Sequence, residues 1–377
     1  MTLVRRRALG GAAAAAALGL LGTAGAGWYF AGELLTVVHV PRYPVRVLAL
    51  DGDEITLSRD VDTEKPIILG LTWDGGAAQV DGAVRVERDA VVRRVAKVFR
   101  GSPRPGIAVA VDYNVYDSDP ATAFGLPFET VRVPGELGDL PAWRVDPMSP
   151  VPGRAGVWGV AVHGRGATRH EALRVLPTVA GAGVTTLVLG YRNDADAPPS
   201  PDGYYHLGDT EWRDVAAAVG YARAHGATDV VLFGWSMGGG TALTALRRMA
   251  PADAGLVRGA VLDSPTLSWD AVLDFQAAQR HLPPFLTWTA KRVAERRAGF
   301  RLSDVEQDPA ELRVPVLIAV DESERHVRTD RAHAFAAARP DLVRLLVTTG
   351  GGHVASWNVD PARYETEVRT FLDGVLG

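Results

Sequence analysis

A single serine, Ser236, stands among glycines in the stretch "FGWSMGGG" at residues 233–240. The apolar run "DVVLF" precedes it and the helix-like segment "GGGTALTALRRM" follows it. Glycines at Gly234 and Gly238 permit a tight turn from strand to helix, which would expose the hydroxyl at the positive end of a helix. The pattern predicts a nucleophilic serine. The alternatives are an ordinary glycine-rich helix start and a phosphate loop without its lysine.

A serine hydroxyl is a poor nucleophile until a neighbouring base takes its proton. His353 stands in "GGGHVASW", after the last predicted strand and before the last predicted helix. Among nine histidines it is the only one that follows the final strand of a chain order serine, acid, histidine. The flanking glycines let this loop approach the serine turn closely. We therefore predict His353 as the base.

An acidic side chain must orient that histidine and stabilise its charged form. Asp321, Glu322 and Glu324 lie in "DESERHV", directly after the predicted strand "VPVLIAV". Asp263 ends an earlier strand, "GAVLD". The position of these residues alone leaves the choice of acid open.

Acyl transfer also needs backbone N–H groups that stabilise a developing oxyanion. Met237 supplies one N–H, directly after the serine. The loop "HGRG", residues 163–166, ends the predicted strand "VWGVAV", so Arg165 is expected to supply the second through its backbone. The Arg165 side chain binding an acidic group is the alternative. His163 is expected to be a structural loop residue.

Composition excludes several classes of protein. The formal net charge of −4 over 377 residues gives no electrostatic case for nucleic acid. The absence of cysteine excludes disulfides and thiolate metal sites. We find no motif for a metal or an organic cofactor and expect neither.

Residues 1–37 have the pattern of a signal anchor or a signal peptide. Arg5, Arg6 and Arg7 precede an uncharged run from Ala8 to Gly32. As a helix this run would measure roughly 37 Å, enough for a bilayer core of about 30 Å, with the catalytic part outside the cytoplasm. Aromatic residues at 28–30 are typical of a membrane interface. The alternative is cleavage after "AGA" at residues 24–26, which would give a secreted protein.

Residues 38–125 alternate in short stretches broken by turn residues, as in "VRVLAL", "DGDE" and "ITLS". This predicts a small β-rich module with one helix near Asp89 to Phe99. The module contains no catalytic constellation, and we interpret it as a spacer or packing partner.

Residues 126–377 alternate strand and helix, which predicts a mostly parallel sheet flanked by helices. "FETVRVP" and "LPAWRVD" are expected to open this sheet as a pair of strands. Residues 264–312 interrupt the alternation and contain Trp269, Phe275, Phe285 and Trp288. We interpret this segment as a cap that shapes an apolar pocket. The polar, proline-rich residues 191–212 are expected to form a surface loop near the strand ends.

These motifs together resemble the α/β-hydrolase superfamily over about residues 128–377. Within it, "HGRGATR", "YRND", "YHLGDTEW" and "NVDP" are similar to membrane-associated bacterial hydrolases. The resemblance implies an α/β-hydrolase fold, with Ser236 as nucleophile, His353 as base, and Met237 and Arg165 as oxyanion donors. Family members have an aspartate three residues before Val-Pro. Here Glu324 precedes Val327 at that spacing and Arg328 replaces the proline, so Glu324 is favoured over Asp321 as the acid.

The sequence therefore predicts a serine hydrolase that cleaves carboxylic esters through an acyl-enzyme, with a small-molecule or acyl-ester substrate. A peptidase or an acyltransferase on the same fold is an alternative. A membrane-anchored scaffold with a degenerate site is another.

Overall fold

The computed structural model describes residues 22–37 and 43–377, so residues 1–21 of the predicted membrane segment lie outside the described part. Residues 22–35 form helix α1. Ala31, Leu34 and Leu35 on α1 are buried in the main core of the molecule. The Leu35 carbonyl accepts a hydrogen bond from the N–H of Tyr205 at 2.9 Å, which ties the end of α1 to the following domain. Among the helices that are described, none has the length and apolar character needed to cross a membrane.

A closed antiparallel barrel of six strands follows, in the order β1-β2-β5-β4-β3-β6. Its strands are β1 (Val45–Asp51), β2 (Glu54–Ser58), β3 (Leu69–Trp73), β4 (Gly76–Val86), β5 (Ala90–Arg100) and β6 (Ala108–Asp112). Alternate side chains point inward and form a separate apolar core, as the sequence alternation predicts. Closure leaves no unpaired edge strand in the barrel.

The helix predicted near Asp89 to Phe99 is wrong, because this segment forms strand β5. Its valines recur at a spacing that also fits one face of a helix. In the structure, Val91 pairs with Leu57 of β2 on one side and with Val86 of β4 on the other. β-branched side chains favour such a pleated surface, and pairing on both edges overrides the local helical pattern.

The second domain is built on an eight-stranded sheet in the order β14-β13-β12-β11-β9-β10-β8-β7. Strands β9 to β14 are parallel, whereas β7 and β8 form the predicted antiparallel opening pair. The strands are β7 (Phe128–Gly135), β8 (Gly138–Val145), β9 (Val157–Val162), β10 (Thr185–Leu189), β11 (Asp229–Trp235), β12 (Val257–Asp263), β13 (Val316–Asp321) and β14 (Val343–Thr348). All residues of β9 and β13 are buried, because helices cover both faces of the sheet.

Helices connect the strands. They are α2 (Pro120–Phe124), α3 (Leu176–Gly181), α4 (Trp212–Ala224), α5 (Met237–Arg248), α6 (Pro251–Ala254), α7 (Trp269–Gln279), α8 (Pro284–Ala298), α9 (Thr329–Ala338), α10 (Ser356–Val359) and α11 (Pro361–Leu376). Short 3-10 helices cover Arg169–Arg174, Leu302–Val305 and Pro309–Glu311. The predicted cap segment therefore contributes α7 and α8, which follow the carboxyl end of β12.

Candidate active site

Ser236 occupies the turn between β11 and α5 with φ of 50° and ψ of −118°, a backbone conformation that non-glycine residues rarely adopt. The adjacent glycines are required by close packing. A Cβ at Gly234 would lie 2.6 Å from the Cα of Gly239, and one at Gly238 would lie 2.1 Å from the carbonyl oxygen of Val162. The turn holds the serine in its strained, half-buried position because α5 presses against the end of β9.

A chain of two hydrogen bonds starts at this serine. The Oγ of Ser236 lies 2.8 Å from Nε2 of His353, and Nδ1 of His353 lies 2.7 Å from Oε2 of Glu324. A carboxylate only accepts hydrogen bonds, so Nδ1 carries the proton and Nε2 is left as an acceptor. The serine hydroxyl therefore donates to His353. This arrangement can remove the proton from Ser236.

The side chain of Glu324 is buried, with only 1% of its surface exposed to solvent. Its Oε1 accepts from the backbone N–H groups of Arg325 at 2.7 Å and His326 at 2.6 Å. Burial alone would raise the pKa of Glu324, but hydrogen bonds from His326 and His353 outweigh it and hold the pKa well below its usual range. Glu324 therefore remains a carboxylate that can stabilise a charged His353.

Asp321, the other acid proposed from sequence, does not contact His353. Its Oδ1 accepts from the N–H of Gly352 at 2.9 Å, and its Oδ2 accepts from the N–H of Gly351 at 3.1 Å and from Oγ1 of Thr348 at 2.9 Å. Asp321 thus holds the backbone of the loop that carries the histidine. Glu322 also points elsewhere and lies 2.8 Å from the ring of His333.

Asp263, the remaining candidate, is buried at the end of β12. Burial raises the pKa of Asp263 to about 7, although the positive charge of Arg174 opposes this. Ser264 Oγ donates to Asp263 at 3.2 Å and accepts from the N–H of Val354 at 3.1 Å. Asp263 therefore reaches the residue next to His353 through Ser264, without a hydrogen bond to the histidine itself.

The two predicted oxyanion donors flank the serine turn. Within the described residues, no group accepts a hydrogen bond from the N–H of Met237 or of Arg165. The loop that carries Arg165 lies close, because a Cβ at Gly164 would be 3.2 Å from the Cβ of Ser236. The buried carboxylate of Glu171 accepts from the N–H of Gly164 at 2.7 Å and fixes this loop. Two N–H groups near the serine turn thus have no acceptor among the described residues.

His163 has the structural role expected from sequence. Its ring stacks on Tyr191 with centroids 4.4 Å apart, and its Nε2 lies 2.9 Å from Asp194. Burial opposes the charged form, but the Asp194 carboxylate raises the pKa of His163 above its ordinary value. The hydroxyl of Tyr191 donates to the His163 carbonyl at 3.2 Å, so this cluster anchors the end of β9.

The sequence analysis did not identify Arg174 and Asn358, which connect the barrel to the histidine loop. Arg174 Nη1 donates to the carbonyl of Val354 at 2.6 Å and to Oδ1 of Asn358 at 2.8 Å. Asn358 Nδ2 donates to the barrel carbonyls of Ile68 at 2.8 Å and Tyr113 at 3.0 Å. Asn358 belongs to the "NVDP" motif, but nothing local to it indicates a contact with residues so distant in the chain.

One group in the described part of the chain has the donor set for a metal ion. The ligand atoms of Glu324, His326 and His353 all lie within 4.8 Å of one another. Glu324 and His353 already share a hydrogen bond of 2.7 Å, and the other His353 nitrogen faces Ser236. The hydrogen-bonded chain therefore accounts for the cluster without an ion.

A cavity of ≈130 Å³ adjoins the oxyanion loop. Residues of α1, α7 and α8 form most of its wall, together with the side chain of Arg165. Its apolar lining comprises Phe30, Ala31, Leu34, Leu273, Ala277, Leu282 and Ala290. The described end of the predicted membrane segment is thus a wall of this cavity, which the sequence analysis did not predict.

Each of the two domains matches a known protein family model. Residues 160–367 match the α/β hydrolase fold family, and residues 46–112 match a domain of unknown function (DUF8805). No curated protein matches the chain by sequence. The esterase Pf2001 of Pyrococcus furiosus is similar in structure, with a TM-score of 0.55 and 19% identity over 70% of this chain and 96% of that one. Est1E from Butyrivibrio proteoclasticus has a TM-score of 0.50 and 17% identity, covering 66% of this chain and 98% of its own. The fold predicted from sequence is confirmed.

Proposed function

The chain belongs to the α/β hydrolase fold family, and we propose that it is a serine hydrolase that cleaves carboxylic esters through an acyl-enzyme. The observation that carries this proposal is the chain of hydrogen bonds from Ser236 through His353 to Glu324. Each member has the chemistry of a nucleophile, a base and an orienting acid, in that order.

In the proposed mechanism, His353 Nε2 takes the proton of Ser236 as Oγ attacks the ester carbonyl. The negative charge on the carbonyl oxygen is stabilised by the N–H groups of Met237 and Arg165. His353 then gives its proton to the leaving alcohol as the C–O bond breaks and Ser236 becomes acylated. Water, deprotonated by the same nitrogen, releases the acid and restores the serine.

We propose that the cavity walled by α1, α7 and α8 holds the acyl group of the ester. Arg165, whose backbone N–H is the expected oxyanion donor, forms part of its wall, and seven of its thirteen lining residues are apolar. Its volume of ≈130 Å³ is similar to a cavity of about 150 Å³ that holds one benzene molecule. This size favours acyl groups of roughly six carbons over long fatty chains.

One similar structure is an esterase from Pyrococcus furiosus, and another is Est1E from Butyrivibrio proteoclasticus. A structure of Est1E with ferulic acid bound is also similar to this chain. Their low identity shows the fold alone, so the ester substrate rests on the site. A peptidase on the same fold would cleave amides in a peptide panel, and an acyltransferase would prefer an acceptor alcohol to water. A degenerate scaffold would fold without reacting at Ser236.

The test is labelling of the intact chain with a fluorophosphonate probe, followed by hydrolysis of p-nitrophenyl esters of increasing chain length. We expect labelling and hydrolysis in the wild type and neither in Ser236→Ala. Labelling that persists in Ser236→Ala contradicts the assigned nucleophile. Ala277→Leu, which narrows the cavity, should reduce kcat/KM for the hexanoate more than for the acetate within one preparation. An equal change in kcat/KM for both esters contradicts the proposed acyl site but does not affect the assignment of Ser236 as the nucleophile.

We also propose that the chain is attached to a membrane through its N-terminal segment, with the catalytic domain outside the cytoplasm. The arginines at residues 5–7 and the uncharged run from Ala8 to Gly32 support this topology. Secretion after cleavage near residue 26 is the alternative.

A further inference from the structure

Four large aromatic side chains are exposed on two helices that pack together. Trp28 and Tyr29 on α1 are 60% and 62% exposed, and Phe285 and Trp288 on α8 are 57% and 62% exposed. The other large hydrophobic residues that are exposed in the described chain are aliphatic or methionine. Because exposure of large aromatic rings is costly in water, their concentration at one place indicates a contact surface.

The two pairs lie on helices that pack against each other, and we call these four residues the aromatic face (Trp28, Tyr29, Phe285 and Trp288). α1 and α8 approach so closely that a Cβ at Gly27 would lie 2.7 Å from Cγ2 of Thr289. Arg297 on α8 donates to the carbonyl of Trp28 at 3.1 Å, and its guanidinium lies 4.3 Å from the Trp28 ring centroid. Phe285 and Trp288 are three residues apart in α8 and share one side of it.

The segment that bears Phe285 and Trp288 has a small excess of basic side chains, although the whole chain has a net charge of −4. Residues 269–298 contain five basic and three acidic side chains. Arg292 lies 5.9 Å from the Trp288 ring and forms an ion pair with Glu295, whereas no described residue forms an ion pair with Arg280 or Arg296. Surfaces that combine tryptophan and tyrosine with arginine bind well to the headgroup region of an anionic bilayer.

The residues that precede α1 also favour a lipid contact at this surface. Residues 8–21 carry no charge and are followed directly by α1, whose first turns bear Trp28 and Tyr29. An uncharged segment adjoining an amphipathic aromatic surface fits a lipid occupant better than a second protein, for which a polar rim and a hydrophobic pocket would be expected.

We propose that the aromatic face docks the folded domain on the surface of an anionic lipid bilayer. This contact is additional to the N-terminal attachment and rests on that part of the proposed function. α1 and α8 also form part of the wall of the cavity beside Arg165. Docking through these two helices would therefore bring the cavity close to esters dissolved in the outer leaflet.

The absence of cysteine makes a direct test straightforward. Trp288→Cys and Phe285→Cys in the full chain are labelled with the polarity-sensitive fluorophore NBD and mixed with phosphatidylcholine vesicles that contain phosphatidylglycerol. The matched control is Met148→Cys, which is 70% exposed in the loop before the amino end of β9, whereas the cap helices follow the carboxyl end of β12. Co-flotation with the vesicles reports attachment, and fluorophosphonate labelling reports the active site in every sample.

We expect NBD at residues 285 and 288 to brighten severalfold and shift to shorter wavelength on the vesicles, with no change at residue 148. Chains that co-float without an NBD change at 285 or 288 overturn the proposal, since the N-terminal segment alone then holds them. Failure to co-float overturns both the docking and the attachment, whereas the esterase proposal is judged by labelling alone. A spectral change that follows protein concentration without vesicles assigns the face to a second copy and also overturns the proposal.

A second measurement links docking to turnover. The double variant Phe285→Ala, Trp288→Ala leaves the cavity lining intact. We expect it to raise KM severalfold for an ester embedded in vesicles and to leave kcat/KM for a water-soluble acetate ester unchanged. Equal effects on both esters contradict the docking role.

Discussion

Glu324 reaches Nδ1 of His353 at 2.7 Å from a position three residues beyond the end of β13. The strand itself ends at Asp321, whose carboxylate accepts hydrogen bonds from the backbone N–H groups of Gly351 and Gly352. The two carboxylates therefore divide two tasks. Asp321 shapes the histidine loop, and Glu324 faces the histidine ring.

The first prediction separates these two acids. Glu324→Gln should lower kcat by roughly 10³- to 10⁴-fold, because the amide cannot stabilise a positively charged His353. Asp321→Asn should keep kcat within about tenfold of wild type and lower the thermal unfolding temperature, since it weakens the loop. Both values come from ester hydrolysis and thermal unfolding of matched preparations. If kcat falls strongly in Asp321→Asn and stays near the wild-type value in Glu324→Gln, Asp321 is the acid and the assignment is reversed.

The second prediction concerns His353 and its neighbour His326, whose ring centroids lie 4.8 Å apart. His353→Ala should lower kcat by several orders of magnitude, because no other group lies within hydrogen-bond distance of Ser236 Oγ in the described structure. His326→Ala is the matched control: it keeps the backbone N–H that donates to Glu324 and should retain most activity, since the His326 ring does not hydrogen-bond to the serine. If His326→Ala is the more damaging change, the base has been misassigned.

The third prediction tests whether the barrel supports the active site. Asn358→Asp keeps an acceptor for Arg174 and removes both donors to the barrel carbonyls of Ile68 and Tyr113. Leaving these two part-buried carbonyls without a donor should cost about 2–4 kcal/mol of unfolding free energy. We also expect kcat to fall by about tenfold with a smaller change in KM, because the histidine loop loses its support. Denaturant unfolding and steady-state kinetics check the two parts; a loss of stability with unchanged kcat would make the barrel a packing partner alone.

Sequence patterns predicted those parts of the site that depend on local backbone geometry. A serine between glycines at a strand-to-helix turn and a histidine after the last strand are local signals, and the structure brings Ser236 and His353 together. The choice of Glu324 as the acid rested on its spacing to Val327, which matches the pattern of the family that the chain resembles. The alternation of strand and helix likewise predicted the sheet, because burial on both faces leaves continuous apolar runs.

The remaining features depend on contacts between distant residues. Val91 and its neighbours in β5 fit a helix by spacing and become a strand only because β2 and β4 lie on either side. Asn358 meets Ile68 across 290 residues, and no local pattern encodes that contact. Helix α1 is apolar enough to resemble a membrane segment, yet the face with Ala31 and Leu35 is buried against protein.

The fourth prediction concerns the N-terminus. Cells that express the full chain should retain it in the membrane fraction with residues 1–21 present, and the hydrolase domain should be accessible to protease from the outer side. Cleavage after Ala26 would remove part of α1 but spare Phe30, Ala31 and Leu34 of the cavity wall. N-terminal sequencing distinguishes the two. A soluble, active product that begins at Gly27 would show secretion in place of anchoring.

The fifth prediction follows from Asp263, whose burial raises its pKa to about 7 from an ordinary value near 3.8. Between these values the folded state binds a proton that the unfolded state has released, so unfolding free energy falls as pH rises. The stability contribution of Asp263 is thus complete below pH 4 and lost by pH 7 to 8, with a slope of at most about 1.4 kcal/mol per pH unit. Asp263→Asn removes this titration and keeps an acceptor for Ser264.

Thermal unfolding of wild type and Asp263→Asn at intervals from pH 5 to pH 8 tests this directly. The variant carries a constant offset from its altered hydrogen bonds, so the informative quantity is the difference between the two proteins. We expect that difference to move steadily in favour of the variant as pH rises, because only the wild type must bury a charge near Val354. Parallel curves would mean that Asp263 does not titrate in this range. Since Ser264 connects Asp263 to the Val354 N–H, ionisation should also perturb the His353 loop, and the activity of the variant should decline less than that of the wild type toward pH 8.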